Sequence, residues 1–76
     1  MKELIQYIAK ALVDNPDQVT VNEITTDQTL ILELQLVKED LGKVFGKKGR
    51  TAQAMRTILS CASAKENKRT ILEIVE

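Results

Sequence analysis

The chain has no histidine and no tryptophan, one cysteine, and only two aromatic side chains, Tyr7 and Phe45. Without histidine it lacks the commonest general base and the commonest metal ligand of proteins. Cys61 has no second cysteine with which to form an internal disulfide. Two aromatics are too few for the stacking platforms on which RRM and OB domains hold successive bases. We therefore expect neither catalysis nor a bound metal or cofactor.

Long apolar runs are also absent, and the first residues lack the charged and apolar segments of a signal peptide. No stretch approaches the ~18 apolar residues that a membrane span needs. We therefore expect a soluble, cytoplasmic protein without a membrane partner. The 76 residues predict one domain over 1–76. A domain this short buries only about 60% of its extended-chain surface, so a partner or self-association would add stability.

Neither sign of charge is in excess, because 11 Lys and Arg balance 11 Asp and Glu. A net charge of zero argues against a protein that coats nucleic acid by bulk electrostatics. The charges are unevenly distributed, however, since residues 41–65 contain six bases and no acid. These bases are Lys43, Lys47, Lys48, Arg50, Arg56 and Lys65. A site for an anion is therefore expected in this segment.

Periodicity in the first half of the sequence predicts one helix and two strands. Apolar residues at helical spacing predict a helix over 2–13, which ends before Pro16. Val19 and Val21 belong to a strand, and Ile24 breaks their alternation, so we expect a bulge or the strand end at 22–24. Leucines at every second position predict a central strand with its leucine face on the core. They are Leu30, Leu32, Leu34 and Leu36.

The second half predicts two helices and a last strand, in the overall order αββααβ. A short helix over 38–45 is expected to end at Gly46, and a second helix starts at 50 or 51 and runs to 64. A final strand covers 69–75. The side chains expected to face the core from these elements are Leu41, Val44, Phe45, Met55, Ile58, Leu59, Ala62, Leu72 and Ile74.

The turn between these helices reads Gly46-Lys47-Lys48-Gly49, a GxxG pattern, with Arg50 directly after it. Glycine has no Cβ and tolerates a positive φ, so the backbone can approach a ligand closely. The lysines add charge where an anionic chain can lie, and the N–H groups of the next helix start favour an anion. A GxxG loop that clamps nucleic-acid backbone is the signature of the KH domain. Glycines that merely close one helix and open the next would not need the lysines.

Two other readings of this region fit less well. A P-loop needs GxxxxGK followed by Ser or Thr, whereas only three residues separate Gly42 from Gly46, and lysine follows Lys47. A helix-turn-helix would place base-reading residues such as Arg50 and Gln53 at the start of its second helix. It does not need two glycines around two lysines, and the leucine strand before it suits a KH topology better.

Several single residues keep a structural interpretation beside a functional one. Lys43 would either stabilise the end of its helix or contact phosphate, and both remain open. Arg56 is either solvated or a weak phosphate contact. Cys61 is expected to be a small buried apolar residue rather than a nucleophile. Glu39 and Asp40 open a helix, where we expect them to cap its N-terminus.

The run from Glu39 to Leu59, with its GKKGR centre, resembles the core of the small bacterial KH-domain RNA-binding proteins of the KhpA type. The resemblance extends over the whole chain in length and element order. It implies an α+β, type II KH fold, in which three helices cover one face of a three-stranded mixed sheet. It also implies a cytoplasmic, non-catalytic protein that binds single-stranded RNA as a chaperone or post-transcriptional regulator. Proteins of this type pair with themselves or with a larger KH-containing protein, and in several bacteria they are linked to cell elongation, division and peptidoglycan synthesis.

On this resemblance, about four unpaired nucleotides would lie in a cleft between the second helix of the pair, the helix before it and the sheet edge. The residues expected to contact RNA are Lys43, Phe45, Gly46, Lys47, Lys48, Gly49, Arg50, Thr51 and Ala54. Phe45 stands where the family usually has isoleucine, and its ring would narrow the groove or stack on a base. No small-molecule substrate is expected. A competing interpretation is a scaffold that pairs with another KH protein through the small residues 60–64 and binds RNA weakly.

Overall fold

The computed structural model describes residues 1–76 and contains three α-helices and three β-strands. The elements are α1 (Lys2–Leu12), β1 (Thr20–Thr25), β2 (Thr29–Gln35), α2 (Leu41–Phe45), α3 (Arg50–Ala64) and β3 (Arg69–Val75). Short 3-10 turns lie at Pro16–Gln18, Lys38–Asp40 and Lys47–Gly49. The predicted order αββααβ and the α+β class are confirmed. None of the helices is both long enough and apolar enough to cross a bilayer.

The three strands form one mixed sheet in the order β1-β2-β3. β1 pairs with β2 in antiparallel fashion, and β2 pairs with β3 in parallel. The prediction of a central leucine strand is therefore correct. Leu32 and Leu34 on β2 are fully buried, with Val21 of β1 and Leu72 of β3 beside them in the register. The parallel pairing requires a crossover, and this crossover consists of α2, the GxxG turn and α3.

All three helices lie on the leucine face of the sheet. α1 packs on β1 and β2, α3 packs on β3, and α2 contacts both of these helices. The core contains Ile5, Ala9, Val19, Val21, Leu30, Leu32, Leu34, Leu36, Val44, Met55, Leu59 and Leu72. The opposite face of the sheet carries no helix, and this difference explains the alternating burial along β2.

Of the two alternatives predicted at 22–24, the bulge is wrong, and the strand end lies one residue later, at Thr25. The register runs without interruption from Thr20 opposite Gln35 to Thr25 opposite Leu30. Ile24 breaks the alternation because it lies on the helix-free face, opposite Ile31, where it is 52% exposed. An apolar residue on the open face of the sheet thus resembled a defect in the strand.

Three side chains predicted to be buried are exposed, and helical geometry gives the reason. The core face of α3 is formed by Ala52, Met55, Leu59 and Ser63. Ile58 and Cys61 lie to the side of that face, with Ile58 49% exposed and the Cys61 thiol free at the surface. Phe45 is 37% exposed because the short helix α2 turns only Val44 fully inward.

Candidate nucleic-acid interface

The GxxG loop has a backbone that only glycine adopts easily at its first position. Gly46 has φ 74° and ψ 179°, a combination found almost only in glycine. Its N–H donates to the carbonyl of Gly42 at 3.0 Å, and its own carbonyl accepts from the N–H of Gly49 at 3.2 Å. These two bonds tie the loop to the end of α2 and close it on itself.

A close contact with Thr51 gives Gly46 a second reason to be glycine. A Cβ on Gly46 would lie 2.8 Å from the Cβ and 3.1 Å from the nitrogen of Thr51, with the threonine hydroxyl nearer still. The first turn of α3 is therefore packed directly against the loop backbone. Of the residues predicted to contact RNA, Gly46 and Thr51 are brought together here, and their role in the structure is to hold the loop tightly on α3.

Gly49 and Lys48 both adopt the left-handed helical conformation. Gly49 has φ 71° and ψ 14°, and a Cβ there would meet nothing within 4 Å. Lys48 has φ 58° and ψ 27°, which a lysine adopts at a cost of about 1 kcal/mol or more. The structure thus holds one lysine of the pair in a disfavoured conformation that is common at binding sites.

The loop cations have no acidic partners. Lys47, Lys48 and Arg50 are exposed, and no carboxylate lies within 4.0 Å of any of them. Phe45 and Ala54 are exposed on the two helices that flank the loop, and Thr51 is half-buried. The structure therefore brings eight of the nine predicted contact residues to the GxxG loop and its flanking turns: Phe45, Gly46, Lys47, Lys48, Gly49, Arg50, Thr51 and Ala54.

Lys43 differs from these residues because acids already engage its ammonium group. Its Nζ lies 2.6 Å from Oδ2 of Asp14 and 3.8 Å from Oδ1 of Asp40. The hydrogen bond to Asp14 raises the pKa of Lys43 above its ordinary value, against the opposing effect of burial. Neither of the two roles left open for Lys43 included this ion pair. A phosphate would have to compete with Asp14 to reach Lys43.

Asp40 stands at the N-cap position of α2, but its carboxyl makes no capping hydrogen bond to that helix, so the predicted capping role is wrong for its side chain. The carboxyl is 1% exposed and accepts hydrogen bonds from the backbone N–H groups of Asp14 and Asn15, at 3.3 and 3.1 Å, and from the Asn15 side chain at 3.1 Å. Burial raises the pKa of Asp40, but these bonds and the charge of Lys43 outweigh it and lower the pKa below its ordinary value. Asp40 thus ties the segment after α1 to the helix that leads into the loop.

A cleft of about 550 Å³ lies along α3 and the free edge of β3. Its lining residues are Arg56, Ser60, Ser63, Ala64, Lys68, Arg69, Thr70, Ile71 and Leu72. The cleft matches the prediction in its helix and sheet edge, but no residue of α2 lines it. The sequence did not identify Lys68 and Arg69 as site residues. Their adjacent positive charges were a visible signal, but their meaning depends on β3 being an edge strand.

Arg56 and Ser63 take unexpected positions in this cleft. Nη2 of Arg56 donates to the carbonyl of Leu72 at 3.4 Å, so the side chain reaches across from α3 to β3 while the residue remains exposed to solvent. Ser63 is 2% exposed, and its hydroxyl is hydrogen-bonded to that of Thr70. The predicted pairing surface at 60–64 is therefore wrong for Ser63, because this residue packs inside the domain.

Comparison with known proteins agrees with this architecture. A family model described as "KhpA/KhpB, KH domain" matches residues 2–74. The RNA-binding protein KhpA of Clostridium acetobutylicum is 55% identical over 75 residues, which cover 99% of this chain and 100% of that protein. The protein of the same name from Caldanaerobacter subterraneus subsp. tengcongensis is 59% identical, over 99% of this chain and 100% of its own length. The one from Aquifex aeolicus is 47% identical, over 100% of this chain and 96% of its own length. No solved structure matches the chain significantly.

These matches bear directly on two predictions. The type II KH fold is confirmed by the family model together with the three helices and the mixed sheet. The prediction that the protein is not an enzyme is confirmed by the family and by the names of its relatives. The GxxG loop, its crossover position and the full-length matches lead to one assignment: the chain belongs to the KhpA/KhpB family of KH-domain proteins.

Proposed function

We propose that residues 1–76 act as a single KH domain that binds short single-stranded RNA and catalyses no reaction. One observation carries the proposal: an exposed loop with unpaired cations lies at the start of α3, and the second half of the same helix lines a cationic cleft at a sheet edge. The names of the relatives, each an RNA-binding protein, support the same ligand.

The proposed path for RNA follows α3 from its first residue towards its last. A 15-residue helix is about 22 Å long, a length that accommodates the roughly four extended nucleotides of a KH site. Gly46 and Gly49 let the phosphate backbone approach the loop, and Lys47 and Lys48 neutralise its charge. Arg50 adds a further anion contact at the start of the helix.

The bases would face the side of the loop where the flanking helices are exposed. Phe45 offers an aromatic ring on the helix before the loop, and Ala54 exposes a small methyl side chain on the helix after it. Thr51 supports this surface from below through its contact with Gly46. A duplex would hide its bases from this surface, so we expect single strands to bind more tightly than duplexes of the same sequence.

Fluorescence anisotropy with short labelled RNA, at two salt concentrations, tests the proposal. Lys47→Asp together with Lys48→Asp should abolish binding or, where residual binding is measurable, reduce the slope of log affinity against log salt by roughly 1–1.5, since each neutralised phosphate contributes ~0.7. The matched control is Lys2→Asp with Lys38→Asp, the same charge change at two exposed lysines outside the loop. Equal loss in both variants would mean that net charge, and not the loop, governs binding.

Pairing with a second KH domain is the second candidate function, with RNA binding then weak or secondary. Its support is the 49% exposure of Ile58 beside the exposed Cys61 on α3, in a domain whose small size favours an added interface. The partner would be a second copy of this chain or a larger KH-containing protein. This surface replaces the one around Ser63, which is buried.

Light scattering of purified protein tests the pairing surface. Ile58→Glu should shift the mass towards monomer, whereas Ile24→Glu should not, because Ile24 has a similar exposure of 52% but lies on the helix-free face of the sheet. If the wild-type protein is a monomer, the proposed homodimer is excluded. If Ile58→Glu leaves the mass unchanged, the surface around Ile58 is not the pairing interface.

The cellular part of the proposal follows from the family resemblance. We place the protein in the cytoplasm as an RNA chaperone or post-transcriptional regulator that affects cell elongation, division and wall synthesis. Cells that carry only the Lys47→Asp, Lys48→Asp protein should show the altered cell length of a deletion strain. Normal length in those cells would separate any role in cell shape from RNA binding by the loop.

A further inference from the structure

The free edge of β3 presents backbone groups at the floor of the α3–β3 cleft. The N–H of Arg69 bonds the carbonyl of Gln28, and the carbonyl of Val75 accepts from Leu36, so the odd-numbered residues of β3 point their backbone groups towards β2. The even-numbered residues must point the other way, because backbone direction alternates along a strand in parallel pairing. Thr70 and Leu72 therefore direct their N–H and C=O groups to the open edge.

Arg56 changes the chemistry of that edge. Its Nη2 donates a hydrogen bond to the carbonyl of Leu72, so this acceptor is no longer free to bind a ligand in the cleft. One such bond leaves the other guanidinium N–H groups available, and it also restrains the side chain against β3. Lys68 and Arg69 line the same cleft and add only donors. The lining of the cleft is thus rich in donors, with a planar arginine fork held at its floor.

We propose that Arg56 is a specificity-determining residue that reads a guanine base in this cleft, through the acceptors O6 and N7 of the guanine. The inference rests on the proposed RNA binding and adds the base to it. Arginine contacts this pair of acceptors with two parallel hydrogen bonds, whereas adenine offers a donor beside N7 and is matched less well. Bases of single-stranded RNA are splayed out and expose this edge to protein side chains.

The cleft fits a base better than a phosphate. Its volume of about 550 Å³ is that of a small-ligand site, and the exposed Ala64 and half-buried Ile71 give its lining apolar surface that a base would cover and a phosphate would not. Cytosine also has two adjacent acceptors, N3 and O2, but its single ring fills less of this volume. The exposed loop lysines already provide for the phosphates.

Anisotropy titrations with five-nucleotide RNAs test the inference. The background is uridine, and one base is varied at each inner position in turn among guanine, adenine, cytosine, uracil, hypoxanthine and 7-deazaguanine. RNAs with guanine or hypoxanthine, which share O6 and N7, should bind tightest. The other bases, including 7-deazaguanine without N7, should bind roughly 5- to 150-fold more weakly, the span of one bidentate arginine contact.

Two arginine variants separate base reading from charge. Arg56→Lys keeps the charge and removes the fork, so it should lose the guanine preference while the salt dependence stays the same. Arg50→Lys, at the loop, should weaken or preserve binding equally for every base and keep the preference. Circular dichroism of both variants verifies that the fold is intact.

Each outcome decides between the proposals. Binding without a guanine preference, a preference for another base, or a preference that survives Arg56→Lys overturns the role of Arg56 and leaves RNA binding in place. Equal binding of guanine and 7-deazaguanine shows that N7 is not read and also overturns the inference. Failure of every RNA to bind overturns the proposed function and the inference together.

Discussion

Replacing Gly46 with alanine should damage the domain far more than the same change at Gly49. Both glycines have positive φ, at 74° and 71°, but their surroundings differ. A Cβ at Gly46 would lie 2.8 Å from the Cβ of Thr51, whereas a Cβ at Gly49 would meet nothing within 4 Å. The pair therefore separates backbone strain from steric overlap within one loop.

The size of the effect follows from these two terms. At Gly49 only the left-handed conformation is penalised, at about 1–2 kcal/mol. At Gly46 the backbone term is about 1–3 kcal/mol, and overpacking against Thr51 adds about 1–3 kcal/mol. The expected loss is therefore about 2–6 kcal/mol, a large part of the ~4–11 kcal/mol that a domain of this length has in total.

Thermal and urea denaturation followed by circular dichroism measures both losses. A change of 1 kcal/mol shifts the Tm of a small domain by roughly 4–8 °C, so Gly49→Ala should lower the Tm by about that amount or twice it, and Gly46→Ala by more. Thr51→Ala removes the threonine hydroxyl, the nearest obstacle. It should therefore be less destabilising, or even stabilising, when Gly46 is already alanine.

Two results would refute this reasoning. If Gly46→Ala and Gly49→Ala had equal stability, the contact with Thr51 would not restrict the loop. If the effects of Gly46→Ala and Thr51→Ala simply added, the two side chains would not compete for the same space. In either case the loop must rearrange more easily than its hydrogen bonds to Gly42 and Gly49 indicate.

Four further predictions concern residues whose environment in the structure differs from the one expected from the sequence. Asp40→Asn should lower the free energy of unfolding at neutral pH, measured by urea denaturation. The pKa of Asp40 in the folded state is below its ordinary 3.8, so ionised Asp40 stabilises the fold above that pH, and this contribution is lost as the pH falls through the lowered pKa. The stability of the variant should therefore depend less on pH in the acid range. Lys43→Met should weaken RNA binding less than Lys47→Met, since Asp14 already occupies Lys43; an equal loss by anisotropy would mean that the ion pair opens for RNA. Cys61 should react with a thiol reagent in the native protein as fast as in urea, because it is exposed; protection would mean that a partner covers it. Ser63→Arg should unfold the domain in circular dichroism rather than merely dissociate it, because Ser63 is 2% exposed; a folded monomer would contradict its burial.

The fold was predictable because its main signals are local. Alternating leucines identify β2 wherever it packs, and the GxxG pattern between two helical segments marks the crossover. The strand order and the parallel pairing of β3 are not encoded in any short segment. The family resemblance implied only a mixed sheet of three strands, and the structure supplied the order and the pairing. Without them Lys68 and Arg69 had no reason to be grouped with Arg56.

The errors concern side chains whose environment depends on a distant element. Asp40 has the sequence position of a helix cap, but its hydrogen-bond partners are 25 and 26 residues earlier in the chain. Ile58 is next to Leu59, and only the angle at which α3 meets the sheet decides which of the two is buried. Lys43 looked free because Asp14, its ion-pair partner, is distant in sequence.

The parallel pairing of β2 and β3 gives the domain two halves with different folding requirements. β1 and β2 meet across a short connection, with Thr25 opposite Leu30, whereas Leu32 and Leu72 come together only after a long segment of chain has closed. The entropy of closing that segment makes β3 the slower strand to form and the easier one to detach. Amide exchange in β3 should therefore be faster than in the β1–β2 hairpin. Detachment of β3 would also disrupt the cleft and the packing of α3. A ligand that spans the loop and the cleft would slow the exchange of β3 most, since it binds only the closed form.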